Sequence, residues 1–326
     1  MTTLAAPPAR QSPPDHAPRQ EDRPDPPVRH RWRQAALAVV LFGLVLAMAG
    51  AAWGWWVETW PPIVRRATIT LDSPAMAGKS LRVALVSDIH VGSHGMSAAR
   101  LDRVISQIMA EKPDAIVLAG DFVNGRHPGD RAIRLDLLER PLARLRAPLG
   151  VIGVLGNHDA ETEPALIGET LARAGVTVLE NDAVRVGPLV MAGGDEYGEA
   201  RRHFKVTMAK AHALAENNAL SENKALAGTG APIVLVEHTP SMGRHLPPDV
   251  PVLLAGHTHC GQVNLPFLSS AKSLVDGRVL YDPAFRCGLV PWDGHTVIVT
   301  GGVGSGSFPL RIGTRPDFWM VTFRGA

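Results

Sequence analysis

Cysteine is scarce in this chain: Cys260 and Cys287 are the only two in 326 residues. That excludes a small scaffold stapled by several disulfides, allows at most one intramolecular bridge, and says little about redox compartment. A basic excess is missing as well. Lys+Arg number 33 against 31 Asp+Glu, and residues 67–326 carry 25 against 26, a net charge of −1. Nucleic-acid binders normally concentrate positive charge on their folded part, so no nucleic acid is expected as a partner. Internal repeats, heptads and collagen-like periodicity are also absent. What remains is a 45% hydrophobic chain long enough for one large or two small cored domains.

Eight of the 27 prolines fall within residues 1–28, among charges and few large apolar side chains. Such a segment cannot offset its ordering entropy by burial, so residues 1–34 are expected to be a disordered tail. Residues 35–56 then run without a charge, AALAVVLFGLVLAMAGAAWGWW, close to the roughly 20 residues a helix needs to cross hydrocarbon. Trp32 precedes the run, and Trp53, Trp55, Trp56 and Trp60 cluster at its far end, where indoles favour the headgroup layer. Ala47-Met48-Ala49 resembles a signal-peptidase site, but the tryptophans favour a retained transmembrane helix or signal anchor. Arg29, Arg31 and Arg33 before the run outnumber Arg65 and Arg66 after it. The bias predicts a single-pass protein of the cytoplasmic (inner) membrane with its folded domain on the periplasmic or outer side.

Residues 57–80 read as a linker and first strand, and 81–326 as the main domain. Apolar runs at 81–86, 115–119, 151–155, 176–179, 184–191, 233–236, 252–255, 296–300 and 318–323 read as strands. Helices are expected at 98–111, 130–146, 164–174 and 199–226, the last as a solvated helix. Strands alternating with helices argue for an α/β domain.

Five of those runs end in polar residues of one kind. LRVALV leads to Asp88 and His90, AIVLAG to Asp121, VIGVLG to Asn157, His158 and Asp159, IVLVE to His238, and VLLAG to His257 and His259. In α/β sheets the loops at the carboxyl ends of strands converge on one crevice, so groups far apart in sequence can share a site. Asp88, His90, Asp121, Asn157, His238, His257 and His259 supply two carboxylates, one amide oxygen and four imidazoles. The set exceeds the needs of one tetrahedral zinc and suits two ions of Mn, Fe, Co or Zn. Two cations roughly 3.5–4 Å apart can hold a hydroxide and clamp the attacking and leaving oxygens of a phosphoryl displacement.

As a set, Asp88-x-His90, Gly120-Asp121, Gly156-Asn157-His158-Asp159, His238 and Gly256-His257-x-His259 resemble the five-block signature of the calcineurin-like metallophosphoesterases. The resemblance implies an α/β fold with a four-layer αββα sandwich of two mixed sheets. It implies that Asp88, His90, Asp121 and His259 hold one ion and that Asp121, Asn157, His238 and His257 hold the other. His158 would protonate the leaving oxygen, with Asp159 orienting its ring. The implied activity is phosphoester hydrolysis by hydroxide held on the metals, on a lipid-linked or envelope substrate if the membrane anchor is retained. GHTHCGQVNLP and the tail GGVGSGSFPLRIGTRPDFWMVTF look like the bacterial branch with an amino-terminal membrane segment, related to the UDP-diacylglucosamine pyrophosphatase type. Cys260 stands where that branch usually has Gly, and Asn124 replaces a frequent Asp. A pyrophosphatase of that type in glycolipid synthesis is the enzymatic alternative, and a catalytically silent metal- or phosphoester-binding protein is the non-enzyme one.

Other residues are expected to play smaller parts. Gly301, Gly302, Gly304 and Gly306 lack the Lys-Ser/Thr of a P-loop and read as a tight, exposed loop lining the cleft. Arg311 and Arg315 read as solvated arginines with the option of meeting phosphate. Cys287 reads as a small core residue.

Overall fold

The computed structural model describes residues 28–93, 95–125, 134–194, 200–216, 230–264, 271, 279–306 and 309–326. Two compact units divide the chain, Met1–Met48 and Ala49–Ala326. The described part of the first is helical and belongs to α1, Val28–Glu58. Leu37, Val39, Phe42 and Leu46 are all more than half exposed, and this helix is long and apolar enough to cross a membrane. The polar 1–27 tail lies outside the described residues.

The second unit carries two six-stranded sheets. The first runs in the order β1 (Ile63–Leu71), β12 (Asp317–Gly325), β2 (Ser80–Val86), β3 (Ala115–Ala119), β4 (Val151–Val154), β5 (Val176–Val178). The second runs β10 (Gly288–Trp292), β11 (His295–Val299), β9 (Val252–Ala255), β8 (Ile233–Val236), β7 (Leu189–Gly193), β6 (Asp182–Val186). Both are mixed: β2 to β5 are mutually parallel while β12 meets β2 antiparallel. In the other sheet β7, β8, β9 and β11 are parallel, flanked by antiparallel β6 and β10.

Because the central strands are buried on both faces, they read as continuous apolar runs without alternation. Val83, Leu85, Val117 and Ile152 of one sheet share a buried cluster with Val234, Val236, Leu254 and Ile298 of the other. Outside the first sheet lie α2 (Ala98–Ala110), α3 (Leu135–Leu142) and α5 (Pro164–Arg173), with Leu101, Ile105, Ile108, Leu138 and Ile167 in its outer core. Outside the second lies α6 (Ala200–Glu216). These are the four layers that the motif set implies.

Several local expectations need correction. Residues 184–191 form a hairpin instead of one strand, because Gly187 adopts φ +57° and Pro188 follows it, closing the turn between Val186 and Leu189. The helix expected at 199–226 is not simply solvated: Met208, Ala211 and Ala215 bury one face on the second sheet. Its expected end beyond residue 216, like residues 130–133 of the helix expected at 130–146, lies outside the described residues. Cys287 is not a free core thiol but is bonded to Cys260, with Cα atoms 4.7 Å apart. Arg311 is fully buried, and Gly301, Gly302, Val303, Gly304 and Ser305 are buried with it.

Candidate metal centre

The five motif-bearing strands, β2, β3, β4, β8 and β9, release their side chains at carboxyl ends that the two packed sheets bring together. The turns that aim them are unusual. Asp88, His90, Asp121, His257 and His259 all have left-handed backbones, with φ between 48° and 68°. Non-glycine residues avoid that region, and its use marks sites where side-chain direction outweighs local comfort. The turns are also closely packed: a Cβ on Gly120 (φ +80°) would stand 2.7 Å from His238 Nδ1.

Two clusters result. In the first, Asp88 Oδ1 lies 3.8 Å from His90 Nε2 and 3.4 Å from His259 Nε2, and the two imidazole nitrogens are 3.3 Å apart. In the second, Asn157 Oδ1 lies 3.1 Å from His238 Nε2 and 2.9 Å from His257 Nδ1. Asp121 stands between them, its Oδ2 3.5 Å from His90 Nε2 and 3.2 Å from His238 Nε2. All seven sequence-identified donors are therefore together.

Their outer contacts decide which ring atoms face inward. His90 Nδ1 meets the carbonyl of Val123 at 3.3 Å, His238 Nδ1 that of Ala119 at 2.7 Å, and His257 Nε2 that of Leu280 at 3.0 Å. A carbonyl only accepts, so each of those nitrogens carries the proton and the other presents a lone pair to the centre. Burial, against the pull of Asp121, lowers the His90 pKa to about 3. Burial, followed by the charge of Arg311, holds His259 well below its usual range. Asp121 is depressed too: burial would raise it, but the surrounding imidazoles, His238 first and then His90 and His158, outweigh that.

Neutral imidazoles and an ionised carboxylate are the states a cation requires. Converging lone pairs at such distances, with Asp88 Oδ1 buried and lacking a hydrogen-bond partner among the described residues, fit divalent ions in both clusters.

His158 sits beside the first cluster, its ring 4.8 Å from that of His90. It is the second residue of the short helix α4 (Asn157–Thr162), which the apolar periodicity did not reveal. Its Nδ1 gives a 2.7 Å hydrogen bond to the carbonyl of Gly125. Asp159 does not orient that ring, contrary to expectation. One helical step turns its carboxylate away, onto the main-chain N–H groups of Phe122, Val123 and Gly156 at 2.9, 3.1 and 2.9 Å. Burial and the nearby Asp121 charge raise its pKa to about 7. Asn124, where a hydrogen-bonding Asp is frequent, leaves its buried Oδ1 without a partner among the described residues.

Comparison with known proteins agrees with this geometry. Residues 81–261 match the calcineurin-like phosphoesterase family. The chain is 30% identical over 250 residues to a metallophosphoesterase of Aquifex aeolicus (strain VF5), covering 76% of this chain and 87% of that one. It is 28% identical over 309 residues to a transmembrane protein with metallophosphoesterase domain of Danio rerio, covering 90% and 64%. Phosphodiesterase YaeI of Escherichia coli (strain K12) is 26% identical over 251 residues, covering 74% and 81%. The chain thus belongs to the calcineurin-like phosphoesterases and is a metal-dependent phosphoester hydrolase.

Proposed function

We propose that this protein is a membrane-anchored phosphodiesterase acting on a lipid-linked phosphoester outside the cytoplasm. In this reading Asp88, His90, Asp121 and His259 hold one cation, and Asp121, Asn157, His238 and His257 hold the second. The observation that carries the assignment is the placing of Asp121 Oδ2 within 3.5 Å of a nitrogen from each cluster.

Two divalent cations, when bound, supply Lewis acidity to the phosphoryl oxygens and a nucleophilic water at neutral pH. The chain's own residues do the rest. His90, His238 and His257 are fixed by carbonyls behind them, so their inner nitrogens are held in place before any ligand arrives. His158, its Nδ1–H held by the Gly125 carbonyl, would as the imidazolium carry a second proton on Nε2 and give that one to the departing alkoxide, returning to the neutral ring.

The lipid-linked substrate is supported by the apolar helix α1 and by Val279 and Leu280, 67% and 49% exposed, beside the centre: the Leu280 carbonyl is the partner of His257. The outward-facing domain is supported by the arginine bias around the span and by the Cys260–Cys287 disulfide, a bond that persists in oxidising compartments. That bond also weighs against a cytoplasmic nucleotide-lipid pyrophosphatase.

The test is a panel of phosphoesters, lipid-linked ones included, assayed with Mn²⁺-loaded full-length protein in detergent, together with a topology reporter after Ala326. Hydrolysis of diesters over monoesters, lost in Asp121→Ala, and an exported reporter are expected. Preference for a nucleotide-linked pyrophosphate with a cytoplasmic reporter would replace this reading with the alternative.

A further inference from the structure

Glu58 closes α1, is fully buried, and lies in the same compact unit as the metal centre. Its Oε2 accepts a 2.6 Å hydrogen bond from Nε of Arg311, and its Oε1 pairs with Arg100 Nη1 at 3.6 Å. Arg100 Nη2 also donates to the Glu58 carbonyl at 2.6 Å. Both arginines are buried, and burial, partly offset by Glu58, lowers the Arg100 pKa to about 10.

The two guanidinium groups share one further target. Arg311 Nη2 reaches the carbonyls of Gly301, Gly302 and Gly304 at 2.9, 3.3 and 2.6 Å, and Arg100 Nη2 reaches that of Val303 at 2.9 Å. Four successive carbonyls are thereby satisfied from one side. From the other side the same segment supports the first cluster: Val303 N–H donates to the Ser87 carbonyl at 3.1 Å and Gly304 N–H to that of Asp88 at 2.8 Å. Gly302, at φ +73°, lies so close to Asp88 that a Cβ there would stand 2.5 Å from the Asp88 Cβ. A Cβ on Gly306 would meet His90 Cε1 at 3.6 Å and His158 Nε2 at 3.7 Å.

We infer that Glu58, the last residue of the apolar amino-terminal helix, is a positioning residue of the active site, acting through Arg311 and Arg100 on the 301–306 segment that fixes Asp88. The helix end is in this sense part of the hydrolase and more than a tether. Neutralising Glu58 leaves two buried guanidinium groups without their anion, and they withdraw from the carbonyls to seek another partner. The inference rests on the metal-centre reading above.

The experiment uses full-length protein in detergent with Glu58→Gln, Glu58→Asp and Arg311→Lys. Lys keeps a charge opposite Glu58 but lacks the fork whose Nε pairs with Glu58 while its Nη2 reaches the three carbonyls. With Mn²⁺ and bis(4-nitrophenyl) phosphate, Glu58→Gln and Arg311→Lys are expected to lose about 10- to 100-fold in kcat, as misplacement on the ångström scale does. KM should stay within about threefold, and Glu58→Asp should recover part of kcat. In metal-free protein, amides of 301–306 should exchange with deuterium faster in both variants, with β8 and β9 unchanged.

Wild-type kcat and exchange in folded Glu58→Gln would overturn the inference. If that variant does not fold, the same result in Arg311→Lys overturns it. Absence of turnover in the unaltered protein would count against the proposed function, while the metal-free exchange would still decide the role of Glu58.

Discussion

The main-chain N–H of His158 donates to Oδ1 of Asp121 at 2.9 Å. The residue proposed to protonate the leaving group and the carboxylate between the two clusters are thus tied through backbone, independently of the imidazole. Replacing His158 by Ala keeps that bond. His158→Ala should lower kcat by about 10²- to 10⁴-fold, the usual worth of a general acid, while metal content stays at the unaltered level. Steady-state kinetics with metal analysis on the same samples checks this; loss of metal alongside activity would make His158 a ligand instead.

Metal removal should be felt by the whole domain. Lone pairs of His90, His238, His257 and His259 converge in its interior, and a cation bound only by the folded state stabilises it by mass action. At about a hundredfold excess over Kd the gain is about 2.7 kcal/mol. A chelator should lower Tm and Mn²⁺ restore it. Asp121→Asn should blunt the restoration, as seen by calorimetry.

Asp159 predicts the opposite profile from His158. Its two oxygens accept three main-chain N–H groups beneath the site. An Asn amide would turn a donor toward one of them. Asp159→Asn should therefore cost about 1–3 kcal/mol of stability, the penalty of a buried unsatisfied polar group. Urea denaturation gives the number; an unchanged midpoint would contradict the hydrogen-bond assignment.

The Cys260–Cys287 bond closes a loop of sequence separation 27 next to His259. Removing a bridge of that size typically costs about 2–4 kcal/mol. Cys287→Ser should lower Tm accordingly. Reduction with dithiothreitol should reproduce the shift in the unaltered protein and have no effect on the variant.

What could be read from the linear chain follows a physical pattern. Each of the five ligand blocks was visible because a polar residue interrupts the end of a fully apolar run, and parallel strands carry such ends to one edge. Nothing linear marks Arg311: its anion, Glu58, is 253 positions away, and its other partners are carbonyls, which every residue possesses. The role of Asp159 as orienter of His158 is one that only the resemblance implies; one residue step along a helix, about 100°, points the two side chains apart, and its main-chain N–H partners leave no mark in a linear sequence. The hairpin at Gly187-Pro188 was hidden by the apolar residues on both sides, although that dipeptide is itself a turn signal.

The positive φ angles at Asp88, His90, Asp121, His257 and His259 carry a consequence for how such a domain ages under mutation. Each of these backbones would relax with glycine, which enters that conformation freely. Stability and chemistry therefore pull in opposite directions at the same five positions. A descendant released from the need to hydrolyse anything would drift toward a sturdier, inert scaffold, and glycines at these sites in a relative would mark that retirement.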